Sequence, residues 1–438
     1  MILARSGPQV CVTVVDRCQA FGRGVAYSAP GLHHRINVPA GKMGGLDPTD
    51  GEGFERWLDA QHRPRPDFAA SFVPRAWFGD YLWAQLEAAR AHGALTLCVG
   101  EVRALQRLPD GWLCSGEGLS LQADQVVLCT GNTSPSSTAP QAAGGRFIPD
   151  VWAPGALAPI GPQDSVLVQG TGATAIDALL ELRERGHQGH ITMVSRRGLL
   201  PKVDMPMLAD YPDFFDASAP TLRLGAVMSA LRHEVRHAAT QGLPWQQVVD
   251  AFRVHASRIW LALDTRDRHR FLRHVRAYWM VHRHRLAPDI DARLARMSAR
   301  GELELVAARI LRTSTASDHV AVDLRPRGAD EVTRTLRADW LLNCIGPSEN
   351  FSRLDDPLWS QLLAQGIARP GPLDMGVDVD TDLRLIARDG RAHADLSALG
   401  LPTRGCFWEV TAVVHIRQQA QALARRLLTS HLRESEAI

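Results

Sequence analysis

Apolar residues in this chain fall into short continuous runs, and most of those runs end at glycine. Residues 166–169 read V-L-V-Q and lead into G-T-G-A-T-A-I-D, and residues 191–197 read I-T-M-V-S-R-R. A short apolar run without polar alternation marks a strand buried on both faces, as in a parallel sheet. The segment between the two runs has helical spacing, so 166–197 predicts strand, turn, helix and strand. Residues 10–16, V-C-V-T-V-V-D, have the form of the second strand of another such unit. Residues 125–131 (Q-V-V-L-C-T-G), 338–346 (A-D-W-L-L-N-C-I-G) and 395–400 (D-L-S-A-L-G) repeat the theme. Glycine at such a strand end lets the backbone approach a ligand at the carboxyl edge of an open sheet.

Other segments fill in the outline. Residues 52–62 and 75–92 carry Phe, Trp and Leu at helical spacing, and 94–107 and 111–121 are strand-like. Residues 33–48 hold too many turn formers for a regular element, as does the Ser-, Pro-, Ala- and Gly-rich stretch 132–162, which reads as a domain crossing. Residues 220–300 are mostly helical and dense in Arg and His. Strands return at 303–311 and 319–325, and a turn and helix at 408–432 close the chain.

The turn after residue 169 carries the clearest chemistry. Gly170 permits the tight turn, Gly172 admits a pyrophosphate to the backbone, and Ala175 lets the helix pack on the sheet. The helix start then offers backbone N–H donors to the diphosphate. A lone Gly-x-Gly-x-x-Ala is a weak signal, but here it follows a strand, opens a helix and meets a second strand. That second strand ends in Ser195-Arg196-Arg197 rather than an acid. Guanidinium groups suit a 2′-phosphate, so NADPH is expected ahead of NADH. In the N-terminal unit Asp16 ends the strand and would accept from the adenosine ribose of FAD. Two dinucleotide units thus predict FAD and a nicotinamide cofactor. The first strand and glycine loop of the FAD unit would lie upstream of Met1.

Composition narrows the class. The chain has 438 residues, 45% apolar and 22% charged, with a net charge of +2. These values fit a globular protein and give no sign of nucleic-acid or membrane partners. No run reaches the roughly 18 apolar residues of a membrane span. The seven cysteines form no Cys-x-x-Cys pair, and an odd count fits a reducing cytoplasm. No metal is expected: His282 and His284 are two apart, the wrong spacing for one helix face. The basic stretch 269–285 could meet an anionic substrate, and Trp260, Tyr278 and Trp279 read as core. No Gly-x-Ser-x-Gly occurs, which removes the usual serine hydrolase. Lysine is almost absent; Lys42 and Lys202 are the two present, and both sit in motifs.

The strings F-G-R-G-V-A-Y-S (21–28), N-V-P-A-G-K-M (37–43), G-T-G-A-T-A-I-D (170–177), S-R-R-G-L-L-P (195–201), N-C-I-G-P (343–347) and T-R-G-C-F-W-E-V-T-A-V (403–413) resemble a family of bacterial FAD- and NAD(P)-binding proteins. Its known activities are single-component monooxygenations, including urate hydroxylation and nitrosuccinate-forming N-oxidation of aspartate. The resemblance runs over nearly the whole chain. It implies FAD against Asn37, Val38, Pro39, Lys42 and Met43 and against the C-terminal glycine strand, with Gly131, Gly346, Gly400 and Thr411 among the cofactor contacts. It departs at the start, because family members open with a strand and Gly-x-Gly-x-x-Gly, whereas residues 1–5 correspond to the tail of the helix that follows. Either the start site is assigned too late, which is the favoured expectation, or the chain binds FAD weakly.

The expected fold is α/β with two Rossmann-like units. The FAD domain spans 1–160 and 338–438. The NAD(P)H domain spans 161–337, with a helical insert at about 205–300. The expected function is an NAD(P)H-consuming flavin monooxygenase working through a flavin C4a-hydroperoxide on a small molecule and O2. Urate is the leading substrate, giving 5-hydroxyisourate. An aspartate-type amino-acid N-monooxygenase is the alternative, and flavin binding without turnover is a third reading. No side chain stands out as catalytic.

Overall fold

The computed structural model describes residues 3, 10–19, 21–28, 31–47, 49–61, 67–91, 94–133, 145–205, 209–331 and 334–436, the last seven by backbone alone. The architecture is α/β with two dinucleotide-binding units and a helical layer.

In the first unit, strand β1 (Val12–Asp16) pairs in parallel with β2 (Leu95–Val99). Between them in sequence lies helix α1 (Arg75–Arg90). Its Leu86 and Ala89 pack on Leu95, Val12 and Val14, while Phe78 and Tyr81, one to two turns earlier, enter a separate aromatic core with Phe54. One helix thus serves two cores because its apolar positions drift around the axis. A second parallel pair joins β3 (Val126–Leu128) to residues 396–398, near the C-terminal end of the sequence. Among the described residues these two ladders remain separate. The helix tail expected at residues 1–5 lies outside the described residues, apart from Leu3.

The second unit is a seven-stranded sheet. Its parallel part holds β4 (Phe147–Ile148), β5 (Val166–Gln169), β6 (Ile191–Ser195) and the first half of β7 (Leu303–Thr315). Helix α2 (Ala173–Glu184) joins β5 to β6 and buries Ile176, Leu179, Leu180 and Leu182. The second half of β7 turns antiparallel against β8 (Val320–Pro326), which pairs with β9 (Arg334–Ala338).

Two expectations about organisation change. Strand β10 (Trp340–Asn343) pairs with β5 on one side and β4 on the other. The boundary expected at residue 338 assigned this strand to the FAD domain, but its backbone bonds place it in the second sheet. The crossing stretch 132–162 likewise contributes β4 to that sheet. An apolar run ending in glycine marks a parallel strand without saying which sheet receives it, and that is why 338–346 was misplaced.

The helical layer begins at α3 (Leu224–Thr240) and continues through α4 (Trp245–Arg253), α5 (Ala256–Ala262) and α6 (Arg276–Arg283). A five-residue π-helical turn, Phe271–Val275, precedes α6. The layer's core joins Phe252, Trp260, Phe271 and Trp279 to Trp408 from the C-terminal segment. Helix α7 (Pro288–Ala299) lies within the expected insert, yet its Ile290, Leu294 and Met297 pack into the core of the second sheet with Leu179 and Leu303. It is the crossover helix between β6 and β7. No helix among the described residues is long and apolar enough to cross a membrane.

Candidate cofactor and substrate site

The second unit presents an open nucleotide loop. Gly170 has φ +120°, and a Cβ there would lie 2.4 Å from the Cys344 carbonyl oxygen, so the strand ends of β5 and β10 approach through this glycine. Gly172 caps α2 with no side chain on the first-turn N–H groups and with open space where a side chain would project. Ala175 is fully buried against the sheet. This donor set fits a diphosphate. Ser195 is occupied internally: its hydroxyl accepts from the Gly198 N–H at 3.0 Å and meets the Thr171 hydroxyl. Arg197 stacks over Tyr278, 4.7 Å from the ring centre, and donates to its hydroxyl. Arg196 is exposed at the strand end. Of the two arginines, Arg196 is therefore the one directed to solvent. Tyr278, expected in the core, is 41% exposed and serves Arg197 instead.

In the first unit the expected residues lie at strand ends and in turns. Gly131 and Gly400 follow the paired strands β3 and 396–398, both at positive φ with open space around them. Thr411 is exposed, two residues before the 24-residue helix α8 (Val413–Glu436). Asp16 accepts from the Cys18 N–H at 2.8 Å, so one of its oxygens holds the turn. Asn37 and Val38 are partly exposed, Pro39 and Met43 are buried, and residues 40–42 form one 3-10 turn. This turn is anchored by bonds from Ala40 N to Ser71 O and from Gly41 N to Ala69 O. Gly346 follows β10 and so belongs to the edge of the second sheet, near Gly170, rather than to the flavin sheet. The parallel ladder of β10 with β5 is the reason.

A buried charge network, not visible in the sequence, links these edges. Lys42 donates to Asp250 at 2.9 Å. Asp250 also accepts from Arg285, which is 4% exposed and donates to Asp204 at 2.8 Å. Asp250 and Arg285 belong to the helical layer and its exit, so Lys42 ties the 37–43 turn to that layer. A second group centres on Glu409, 3% exposed, which accepts from Trp279 Nε1 at 3.0 Å and from Arg283. Arg276 makes a bidentate pair with Glu349, 2.7 Å in each arm, and Arg404 approaches the same carboxylate. Trp408 precedes Glu409 at φ +59°, an uncommon conformation for a tryptophan. Its ring is held between Trp260, stacked at 5.0 Å, and the Arg404 guanidinium. The T-R-G-C-F-W-E string was the signal that could have found Arg404 and Glu409. Their partners lie more than 120 residues away for Glu409 and Arg283.

The electrostatics are lopsided. Burial favours protonated Glu409, but Arg283 and Arg253 outweigh it and hold the carboxyl below its ordinary range. Burial pushes His284 well below the usual imidazole value, and Arg283, Arg253 and Arg404 push the same way. Burial lowers Arg253 and Arg404 as well, and the neighbouring carboxylates do not offset it. Within this linked group Lys42, Arg253, Arg276, Arg283, Arg285 and Arg404 face Asp204, Asp250, Glu349 and Glu409. Six cations against four carboxylates leave a surplus of two positive charges.

Comparison with known proteins agrees with this architecture. Residues 1–133 match a family model described as FAD-NAD(P)-binding, which gives FAD and a nicotinamide dinucleotide as the cofactors of these units. No curated protein matches the chain. Among solved structures, L-lysine 6-monooxygenase from Pseudomonas syringae superposes with a TM-score of 0.60 at 16% identity, covering 90% of this chain and 87% of that one. The cadaverine monooxygenase of desferrioxamine biosynthesis from Erwinia amylovora, bound to FAD, gives 0.62 at 14% identity, covering 97% and 90%. The ornithine N-hydroxylase of Kutzneria sp. 744, holding reduced FAD, NADP+ and L-ornithine, gives 0.58 at 17%, covering 99% and 96%. At these identities the likeness establishes a shared fold.

The Glu409 pair has a signed consequence. Because the folded carboxyl titrates below its unfolded value of about 4.3, its ionised form contributes stability above that pH and loses it as the pH falls through the folded value. Replacing Arg283 with Met strands a buried carboxylate. The expected cost at pH 7 is about 3–5 kcal/mol, shrinking as acid protonates Glu409. Urea unfolding of both proteins at pH 7 and at acid pH checks the size and the trend.

Proposed function

We propose that this chain is an FAD-dependent, NADPH-consuming monooxygenase that N-hydroxylates a small amine carrying a carboxylate, an amino acid of the aspartate type. The fold shared with three amine hydroxylases supports the reaction class. The observation that carries the substrate's charge is the excess of cations over carboxylates in the linked group that includes the buried Arg283 and Arg404. Each of these arginines touches a carboxylate, but the group as a whole keeps net positive charge, which favours an anionic ligand.

The residues have distinct tasks. Asn37 to Met43, Gly131, Gly400 and Thr411 hold FAD, with Asp16 at its ribose. Gly170, Gly172 and Ala175 receive the nicotinamide diphosphate, Gly346 lines the same edge, and Arg196 meets the 2′-phosphate. When bound, FAD would supply the oxygen-activating chemistry, with NADPH as its reductant. The chain itself prepares the substrate. An amine must be uncharged to act as a nucleophile, and a cationic surrounding lowers the pKa of a bound ammonium. His284, kept neutral by burial and by the arginines, is a weak base and adds no charge of its own beside the group. Urate is also anionic, but the fold likeness to amine hydroxylases favours the amine.

With FAD added, NADPH oxidation that depends on an acidic amino acid and yields a hydroxylamine is the expected result. Oxidation that depends on urate and consumes it, with no response to amines, would replace this reading by urate hydroxylation. Bound flavin with no turnover on any of them would leave a binding protein. Separately, Arg196→Ala is expected to raise the KM for NADPH about ten- to a hundredfold, the worth of one charged hydrogen bond, and to leave that for NADH unchanged. Steady-state kinetics with both cofactors checks it.

A further inference from the structure

A second cluster, apart from the flavin edge, joins the two units. His33 and His34 precede the 37–43 turn, and helix α2 of the second unit faces them with Asp177 and Glu181. His33 Nε2 lies 2.9 Å, and His34 Nε2 3.4 Å, from the same oxygen of Glu181, Oε2. The other Glu181 oxygen is taken by Arg185 at 2.9 Å. On its far side the His34 ring turns Nδ1 toward Asp177 Oδ1 at 3.5 Å. Asp177 is itself fixed by a bidentate pair with Arg75, at 2.8 and 3.1 Å. His34 is 3% exposed. His33 Nε2 is enclosed, yet it is not aligned with Glu181 as a hydrogen bond, and His34 Nδ1 makes none.

We propose that His33, His34 and Glu181 form a Zn2+ site that ties the segment leading into the flavin turn to helix α2. The donor atoms of the three residues lie within 4.8 Å of one another. Tetrahedral zinc with bonds of about 2.0–2.1 Å separates its donors by about 3.3 Å, close to the two Glu181 distances. The third separation, between the two imidazole donors, is at most 4.8 Å and would close by rotation of the His33 ring. Two imidazoles and a carboxylate are a donor set that zinc accepts, and solvent fills the fourth position. Asp177 stands 3.5 Å behind His34 Nδ1, where a slight closure would give the carboxylate–histidine–metal arrangement that orients a ligating ring. The cysteine and His282/His284 spacings that argued against a metal could not reveal this cluster, because its parts are separated by nearly 150 residues and meet only through packing.

The test is calorimetric titration of Zn2+ into the full chain, loaded with FAD and dialysed against a chelator. One equivalent should bind, raising the thermal midpoint by several degrees. Co2+ should bind in its place with the visible absorption of a four-coordinate ion. His34→Ala and Glu181→Gln should each weaken zinc binding by about a hundredfold or more, and Asp177→Asn by about ten- to a hundredfold. Glu181 is partly exposed on a helix surface, so Glu181→Gln decides the matter if His34→Ala does not fold. No stoichiometric binding, or a Glu181→Gln effect below about tenfold, would overturn the site and leave a histidine–carboxylate clasp.

Discussion

The arrangement of this molecule depends on buried ion pairs that fasten the helical layer to both nucleotide units. Arg285 is enclosed between Asp204 and Asp250, and Asp250 reaches Lys42 in the turn of the first unit. Arg283 and Trp279 hold Glu409 from the C-terminal segment. Charges taken from water must find partners of good geometry, so each pair fixes the position of the element that bears it. Apolar packing alone, between the core of Trp260 and Trp279 and the ring of Trp408, would allow these surfaces to slide. The ion pairs set their register.

The same pairs give the site its character. Carboxylates satisfy most of the arginines they touch, but not all of the cationic charge in the group. The remainder is the feature that separates this chain from a neutral flavin pocket. In the proposed reaction it would draw in an anion and disfavour protonation of the amine that the anion carries. Binding and activation of the proposed substrate would then share one electrostatic cause.

Much of the frame was legible in the sequence. The strand–glycine–helix pattern at 166–197 gave the second unit, because a parallel strand buried on both faces leaves an apolar run and the nucleotide turn demands glycine. The helix at 75–90 showed through its aromatic spacing. Sheet membership was not legible. Residues 338–346 and 125–131 have the same form, and only backbone pairing shows that the first belongs to the second sheet. The buried ion pairs were hidden too. Glu409 in W-E-V and Asp250 in V-V-D look like ordinary charged positions until folding brings arginines from distant helices beside them. Trp260 and Trp279 read correctly as core, whereas Tyr278 on the same helix as Trp279 faces outward to Arg197.

The most direct measurement is the affinity of the oxidised, FAD-loaded protein for two small ligands of opposite charge, succinate and cadaverine, by calorimetry. A surplus of buried positive charge predicts that succinate binds, and binds more weakly as salt is raised, while cadaverine does not. Binding of cadaverine without binding of succinate would contradict it, and the substrate would then be a cation held by Glu349 and Glu409.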